Sequence, residues 1–375
     1  MILFLDFTPI EFMGGTEKWM SIHAKKLDAF EPTQLVSVHK KISNFYGKLV
    51  AKRNYTSRVN SSKIHNYSPL TFLSFVPFTR KWREAKAQFS SARIIYIKYD
   101  ILEILIVAYF LGVKGFKKTI AGIHSPYIYP NPTKFFDYFH NFVYTSRLSG
   151  YLLSKVKKVH VINTKDEQYL KSKFSLKNVI YIPNWVRIEN KELTPSLTSE
   201  SKLRVLFIGE LNLRKGVDIL IDIIKLSPDN FSFDITSDGP LRPQIQELAR
   251  LYRNCHYHGY LSNAKIQSLY KKADVLILPS RGEGFPLVIL DALSHGVCII
   301  DSSDIRLGLP KYIEYTSKSC DADEYIGLLT EVYKIKRTCD FGEVKKRIFK
   351  YCNNKLSEKV VFPKLKDQLF ELGAN

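Results

Sequence analysis

The sequence predicts an α/β chain of two doubly wound parallel-sheet halves. Apolar runs of strand length alternate with segments of helical periodicity in both halves, a pattern that forces parallel pairing with helices on both sheet faces. The length, 375 residues, suffices for two cores of ordinary size, and 45% apolar with 13% aromatic residues is the composition of a packed interior.

In the second half, LRVLFIG (203–209) reads as a strand and KGVDILIDII (215–224) as the start of a helix. FSFDITS (231–237) is a strand, LRPQIQELARLY (241–252) a helix, and HYHG (256–259) a short strand. NAKIQSLYKKA (263–273) is helical, DVLILPS (274–280) a strand, and PLVILDALSHG (286–296) a helix. The first half is less regular. MILFLDFTPI opens it as a core strand, since no cation precedes the apolar run and Asp6 interrupts it. It closes on VHVINTKDEQYLKSKF and IYIPNWV, a strand, helix and strand. Between the halves NKELTPSLTSESK (190–202) is polar and aperiodic, which makes it a linker dividing the chain near residue 195.

Composition excludes several classes. Five cysteines, odd in number and without a CxxC pair, predict a reducing, cytoplasmic setting with neither disulfide framework nor zinc site. The longest apolar stretch, ILEILIVAYFLGV (101–113), is too short to cross a bilayer and contains Glu103. The net charge of +20 is concentrated in residues 1–200, with 30 Lys and Arg against 14 Asp and Glu. Residues 40–99 carry 13 basic residues and one acid, Glu84, interleaved with the aromatics of YSPLTFLSFVPFTRKW. Such a segment suits an anionic membrane surface, a nucleic acid, or a plain solvated face. No recognisable nucleic-acid module accompanies the charge, so nucleic acid is not expected as a partner.

Ligands of doubly wound sheets bind at the carboxyl ends of strands, where loops lead into helix N-termini. The loop from Ser280 to Pro286 follows a buried strand, and Glu283 within it can accept two hydroxyls at once. A carboxylate beside amides able to hold phosphate suits a sugar nucleotide, although a solvent-facing acid or helix cap has the same spacing. DAD (321–323) has the spacing of a metal-binding DxD but sits where acids favour a helix N-terminus.

EGFPLVILDALSHG (283–296) resembles the signature of glycosyltransferase family four, retaining enzymes of the GT-B fold, with its two acids at Glu283 and Asp291. LFIGELNLRKG, SDGPL, YHGYLS and KKADVLILPS precede it in the order and spacing of that family. In the first half FMGGTEKW (12–19) is similar to its glycine loop, IAGIHS (120–125) to the segment with its active-site histidine, and IPNWV to its IPNG turn.

The resemblance implies two Rossmann-like domains facing across a cleft. An acceptor-binding domain spans 1–195, a nucleotide-sugar domain 196–350, and a helical segment 351–375 returns toward the first. It implies that Lys215 neutralises the donor diphosphate, that Gly14 and Gly15 let backbone approach it, and that amides of Gly284, Phe285, Pro286, Leu287 and Val288 surround phosphate and sugar. Glu283 would hold the transferred sugar, Asp291 the ribose, and His124 would lie beside the reacting carbon. Gly209, Gly239 and Tyr260 complete the donor site. Glu210 departs from the pattern, standing where the family has an arginine, and Arg214 is the candidate to replace it. Asp291 is one methylene shorter than the usual glutamate, and Trp185 replaces a glycine.

The expected activity is a retaining, metal-independent hexosyl transfer without cofactor. The expected partners are a nucleotide diphosphate sugar and a glycan or lipid-linked acceptor, at the cytoplasmic face of an anionic membrane. A sugar or nucleotide binder with a decayed site is the alternative that Glu210 favours.

Overall fold

The computed structural model describes residues 1–10, 15–39, 41, 42, 64–125, 127–129, 132, 135–188, 202–305, 307–319, 321–338 and 340–372. The expected linker lies almost wholly outside these residues. The chain forms two compact units. One comprises Met1–Ile128, Phe136–Ile182 and Pro363–Asn375, and the other Tyr129–Phe135 with Pro183–Phe362.

The first unit is built on β1 (Ile2–Asp6), β2 (Thr33–Val38), β3 (Tyr67–Leu70), β4 (Ile94–Lys98), β5 (Thr119–Ile123), β6 (Lys158–Val161) and β7 (Val179–Tyr181). Their order is β3-β2-β1-β4-β5-β6-β7, every pair parallel. The second unit contains β8 (Leu203–Ile208), β9 (Phe231–Thr236), β10 (Cys255–Tyr257), β11 (Val275–Leu278), β12 (Cys298–Ser302) and β13 (Glu314–Ser317). The order there is β10-β9-β8-β11-β12-β13, again parallel. β12 and β13 were not anticipated from the sequence. Each sheet therefore has one switch point, β1/β4 and β8/β11, where the strand order reverses and a crevice opens at the carboxyl ends.

The strands are what two-sided burial requires: all residues of β1, β5, β11 and β12 are buried. The apolar stretch 101–113 forms the helix Ile101–Leu111, which is chiefly buried. Asp100 caps it by accepting from Ile101 N at 2.7 Å, and Ile104, Ile106, Val107 and Phe110 face the core. Only Leu105, Tyr109 and Val113 of its large apolar side chains are exposed.

The last residues complete the first unit's core. Phe370 packs on Phe4 and Tyr96 with ring centroids 5.7 and 5.8 Å apart, and its carbonyl accepts from Arg93 Nη2 at 2.9 Å. Lys157 and Lys158 grip Glu371 at 2.7 and 2.6 Å. In the second unit Cys255, Cys298 and Cys352 are free and buried.

Two glycines of the second unit separate backbone strain from close approach. Gly259, at φ +64°, has open space where a Cβ would go, whereas a Cβ on Gly216, at φ +70°, would lie 1.9 Å from the Pro279 carbonyl oxygen. Gly259→Ala should cost about 1 kcal/mol, the penalty of a left-handed backbone. Gly216→Ala must also displace a loop and should cost on the order of 3 kcal/mol or more. Chemical denaturation of the two variants checks this, and equal losses would contradict it.

Candidate active site

In the second unit, four loops at the carboxyl ends of β8 to β11 are bonded to one another. Leu211 N donates to Asp238 O at 2.9 Å and Leu241 N to Leu211 O at 2.8 Å, joining the loops after β8 and β9. Gly239 permits this, because a Cβ there would come within 2.6 Å of Leu211 backbone atoms. The Gly259 carbonyl receives Ser237 N at 2.9 Å and Thr236 Oγ1 at 2.7 Å, tying in the loop after β10. Tyr260 stands on that loop with 84% of its surface exposed.

The loop after β11 is tied in by Arg281. Its N–H donates to Arg214 O at 2.8 Å, and its guanidinium donates to Leu213 O and, in a fork, to Asp218 at 2.8 and 2.6 Å. Asn212 caps the intervening 3₁₀ turn, accepting from Lys215 N at 2.9 Å.

This scaffold brings Lys215 and Glu283 together across the β8/β11 switch point. Lys215 Nζ lies 2.5 Å from Glu283 Oε1, with Arg214 Nη1 at 3.7 Å from the same oxygen. Lys215 and Glu283 are mostly enclosed, and Arg214 is exposed. Two cations face one carboxylate, leaving a net positive charge for an anion. A Cβ at Gly209 would make ordinary contacts, 3.5 Å from the Phe207 ring and 3.6 Å from the Lys215 side chain. Glu210 is exposed and forms no ion pair among the described residues.

Gly284, Phe285 and Pro286 are buried and lead into the helix Leu287–Leu293, whose first turn has no side-chain cap. Asn184, of the IPN turn, donates to Phe285 O at 3.2 Å and so braces the glutamate loop. Asp291, on the helix that follows the Glu283 loop, lines a cavity of about 370 Å³ with Asn263, Gln267, Lys271, Ser294 and His295. Asp321 accepts from Glu324 N at 2.9 Å, so the DAD acid caps its helix.

In the first unit Gly14 lies outside the described residues, and Gly15 begins the helix Gly15–Leu27. His124 follows the last residue of β5 and is half-buried. Its Nε2 lies 2.8 Å from Tyr96 Oη, which is 2.7 Å from His160 Nδ1, and His160 Nε2 is 2.9 Å from Ile182 O. Trp19 covers His124, ring centroids 4.4 Å apart. Burial, with the neighbouring His160, His23 and Lys98, holds His124 well below the usual histidine range. Burial likewise pushes His160 down to about 4, against the pull of the Ile182 carbonyl. Both rings are neutral at pH 7.

A second polar cluster at the β1/β4 switch point was missed. Lys98 Nζ lies 3.2 Å from Glu17 Oε1 and 3.7 Å from Asp6 Oδ1, while Glu103 accepts from Phe7 N at 2.8 Å. Burial pushes Asp6 up to about 7 despite Lys98. Burial also raises Glu103 well above the carboxylate range, with Asp100 and Asp6 adding to it. The signal available in the sequence was Asp6 within an otherwise apolar strand.

Residues 202–329 match the family model described as "Glycosyl transferases group 1". A Campylobacter jejuni N-acetylgalactosaminyltransferase, named for a diphospho-undecaprenol-linked saccharide, is 34% identical over 117 residues, 30% of this chain and 32% of that protein. The chain spans about a quarter to a half of the length of the curated relatives it matches. Solved structures extend the likeness over the whole chain. A lipopolysaccharide outer core galactosyltransferase, WaaB, superposes with a TM-score of 0.69 at 16% identity, covering 98% of this chain and 99% of the other. Anabaena HepE in complex with UDP gives 0.71 at 13% identity, covering 98% and 99%. Two parallel Rossmann-like sheets and these likenesses together mean that the chain has the GT-B fold, and that residues 202–329 form a domain similar to the group 1 glycosyl transferases.

Proposed function

We propose that the protein transfers a sugar from a nucleotide diphosphate sugar to an acceptor hydroxyl with retention of configuration. The contact between Lys215, Arg214 and Glu283 carries this reading. Two cations suit a diphosphate, and a carboxylate suits sugar hydroxyls. On donor binding the cations exchange part of their hold on Glu283 for phosphate oxygens, and Glu283 turns its lone pairs to the sugar. Asp291, with the Asn263 and Gln267 amides around its cavity, offers acceptors and donors to ribose and base.

In the proposed step the C1–O bond to the diphosphate breaks and the acceptor oxygen bonds to C1 on the same face. The departing phosphate oxygen takes the acceptor proton. Lys215 and Arg214 stabilise the leaving charge without a metal, so EDTA should leave the rate unchanged.

Glu283→Ala should abolish transfer while nucleotide diphosphate affinity stays near wild type, because the partner of Glu283 is the sugar. Lys215→Ala should weaken both nucleotide diphosphate and donor by about 1.5–3 kcal/mol, the worth of a charge-assisted contact. Calorimetric titration of UDP-, GDP- and ADP-sugars, beside a transfer assay, checks both. Binding without turnover by wild type would establish a sugar-nucleotide binder with a decayed site instead.

The acceptor is lipid-linked, and the first unit docks on an anionic membrane to reach it. Lys40, Lys48, Lys52, Arg53, Arg58 and Lys63 of the basic segment lie outside the described residues. Within them, Arg80 and Lys81 are paired with Glu84 at 2.8 and 3.0 Å, whereas Phe72 and Phe78 are 72% and 83% exposed. A second exposed apolar surface consists of Tyr138, Phe139, Phe142, Leu148 and Tyr151 on the helices Phe135–Tyr144 and Arg147–Lys155. Aromatic and aliphatic side chains held in water beside lysines suit an interfacial lipid contact. The name of the Campylobacter relative supports a diphospho-polyprenol acceptor. No helix among the described residues is long and apolar enough to cross a membrane.

Co-sedimentation should find the protein with anionic but not neutral vesicles at low salt. Arg80, Lys81 and Arg83 changed together to Ser should reduce pelleting, as should Phe139→Ser with Phe142→Ser. Wild type that ignores anionic vesicles would overturn the membrane reading.

A further inference from the structure

The hydrogen-bond chain from Ile182 to His124 has only one self-consistent proton arrangement when both imidazoles are neutral. A carbonyl oxygen can only accept, so His160 Nε2, 2.9 Å from Ile182 O, carries the proton. His160 Nδ1 is then a bare acceptor, and Tyr96, 2.7 Å away, donates its single O–H to it. Tyr96 Oη retains only lone pairs for His124, so His124 Nε2, at 2.8 Å, must be the donor. That leaves His124 Nδ1 unprotonated, with no hydrogen-bond partner among the described residues.

We propose that Tyr96 and His160 are positioning residues that lock His124 as the Nε2–H tautomer, so that its Nδ1 presents a lone pair to a substrate hydroxyl. As to function, the inference rests on the glycosyl-transfer reading and names the part His124 plays in it: an acceptor of a hydrogen bond, not a donor. Tyr96 and His160 lie on β4 and β6, and His124 directly follows β5 between them, so the sheet itself sets their spacing. Gly122 keeps the path open, because a Cβ there would lie 2.0 Å from Tyr96 Oη. Trp19 stacks against His23 at 3.8 Å and covers His124 at 4.4 Å, which limits rotation of the His124 ring. The low proton affinity of both rings keeps the arrangement in force at neutral pH.

The tautomer is read directly by 15N NMR of protein labelled at histidine, with His124 assigned by comparison with His124→Gln. Wild type should show His124 bare at Nδ1 and protonated at Nε2. Tyr96→Phe keeps the ring and removes the hydroxyl, and it should give a mixture of tautomers, with kcat down about tenfold and donor KM unchanged. His160→Gln keeps one acceptor and one donor on a single side chain, and it should preserve the tautomer. A protonated Nδ1 in wild type, or an unaltered tautomer in a folded Tyr96→Phe, would overturn the proposal. The spectrum does not depend on turnover. Failure of wild type to transfer sugar from any donor would remove the glycosyl-transfer reading while leaving the tautomer lock established.

Discussion

A missing methyl group governs the second unit's site. The backbone at Gly216 passes so close to the Pro279 carbonyl that no side chain fits between them. That approach lets the loops after β8 and β11 run side by side, so Arg281 can bond the Arg214 and Leu213 carbonyls while Asp218 neutralises it. Only then do Lys215 and Glu283, 68 residues apart in sequence, come into contact. The ion pair is thus a result of backbone packing, and its geometry is set before any ligand arrives.

The first unit solves a different problem, that of keeping polar groups buried near the carboxyl ends of central strands. The carboxyl ends of β1, β4 and β5 hold Asp6, Lys98, Tyr96 and His124, and the rest of these strands is almost wholly apolar. Two carboxyl groups, Asp6 and Glu103, are raised by burial while Lys98 between them stays charged, so the cluster retains protons that a surface carboxylate would lose. The histidine chain ends on a main-chain carbonyl, and its members satisfy one another.

Much of this was legible in sequence, for identifiable reasons. Glu283 stood out as an acid among small residues directly after a buried strand, whereas Lys215 came only from the resemblance of RKG to the lysine that holds the donor diphosphate in glycosyltransferase family four. Gly239 was named through the resemblance, but the Leu211 backbone that requires it, and Gly216 with its Pro279 carbonyl, emerge only from the fold. Tyr96 and His160 sat unremarked inside RIIYIK and KVHVIN, where one polar residue in an apolar run reads as tolerated core. Only the order β4-β5-β6 makes them neighbours of His124. The stripe Tyr138, Phe139 and Phe142 escaped for the opposite reason: a search guided by charge passes over an exposed surface made of aromatic rings.

The position of Phe370 bears on how the protein is made. A ribosome delivers the chain from the amino end, and domains fold as units while it emerges. Here the first unit's core lacks an aromatic ring against Phe4 and Tyr96 until the whole second unit has been synthesised. Through that interval the nascent first unit exposes apolar surface that the mature protein hides, a surface on which chaperones can act. The unit that begins first is completed last.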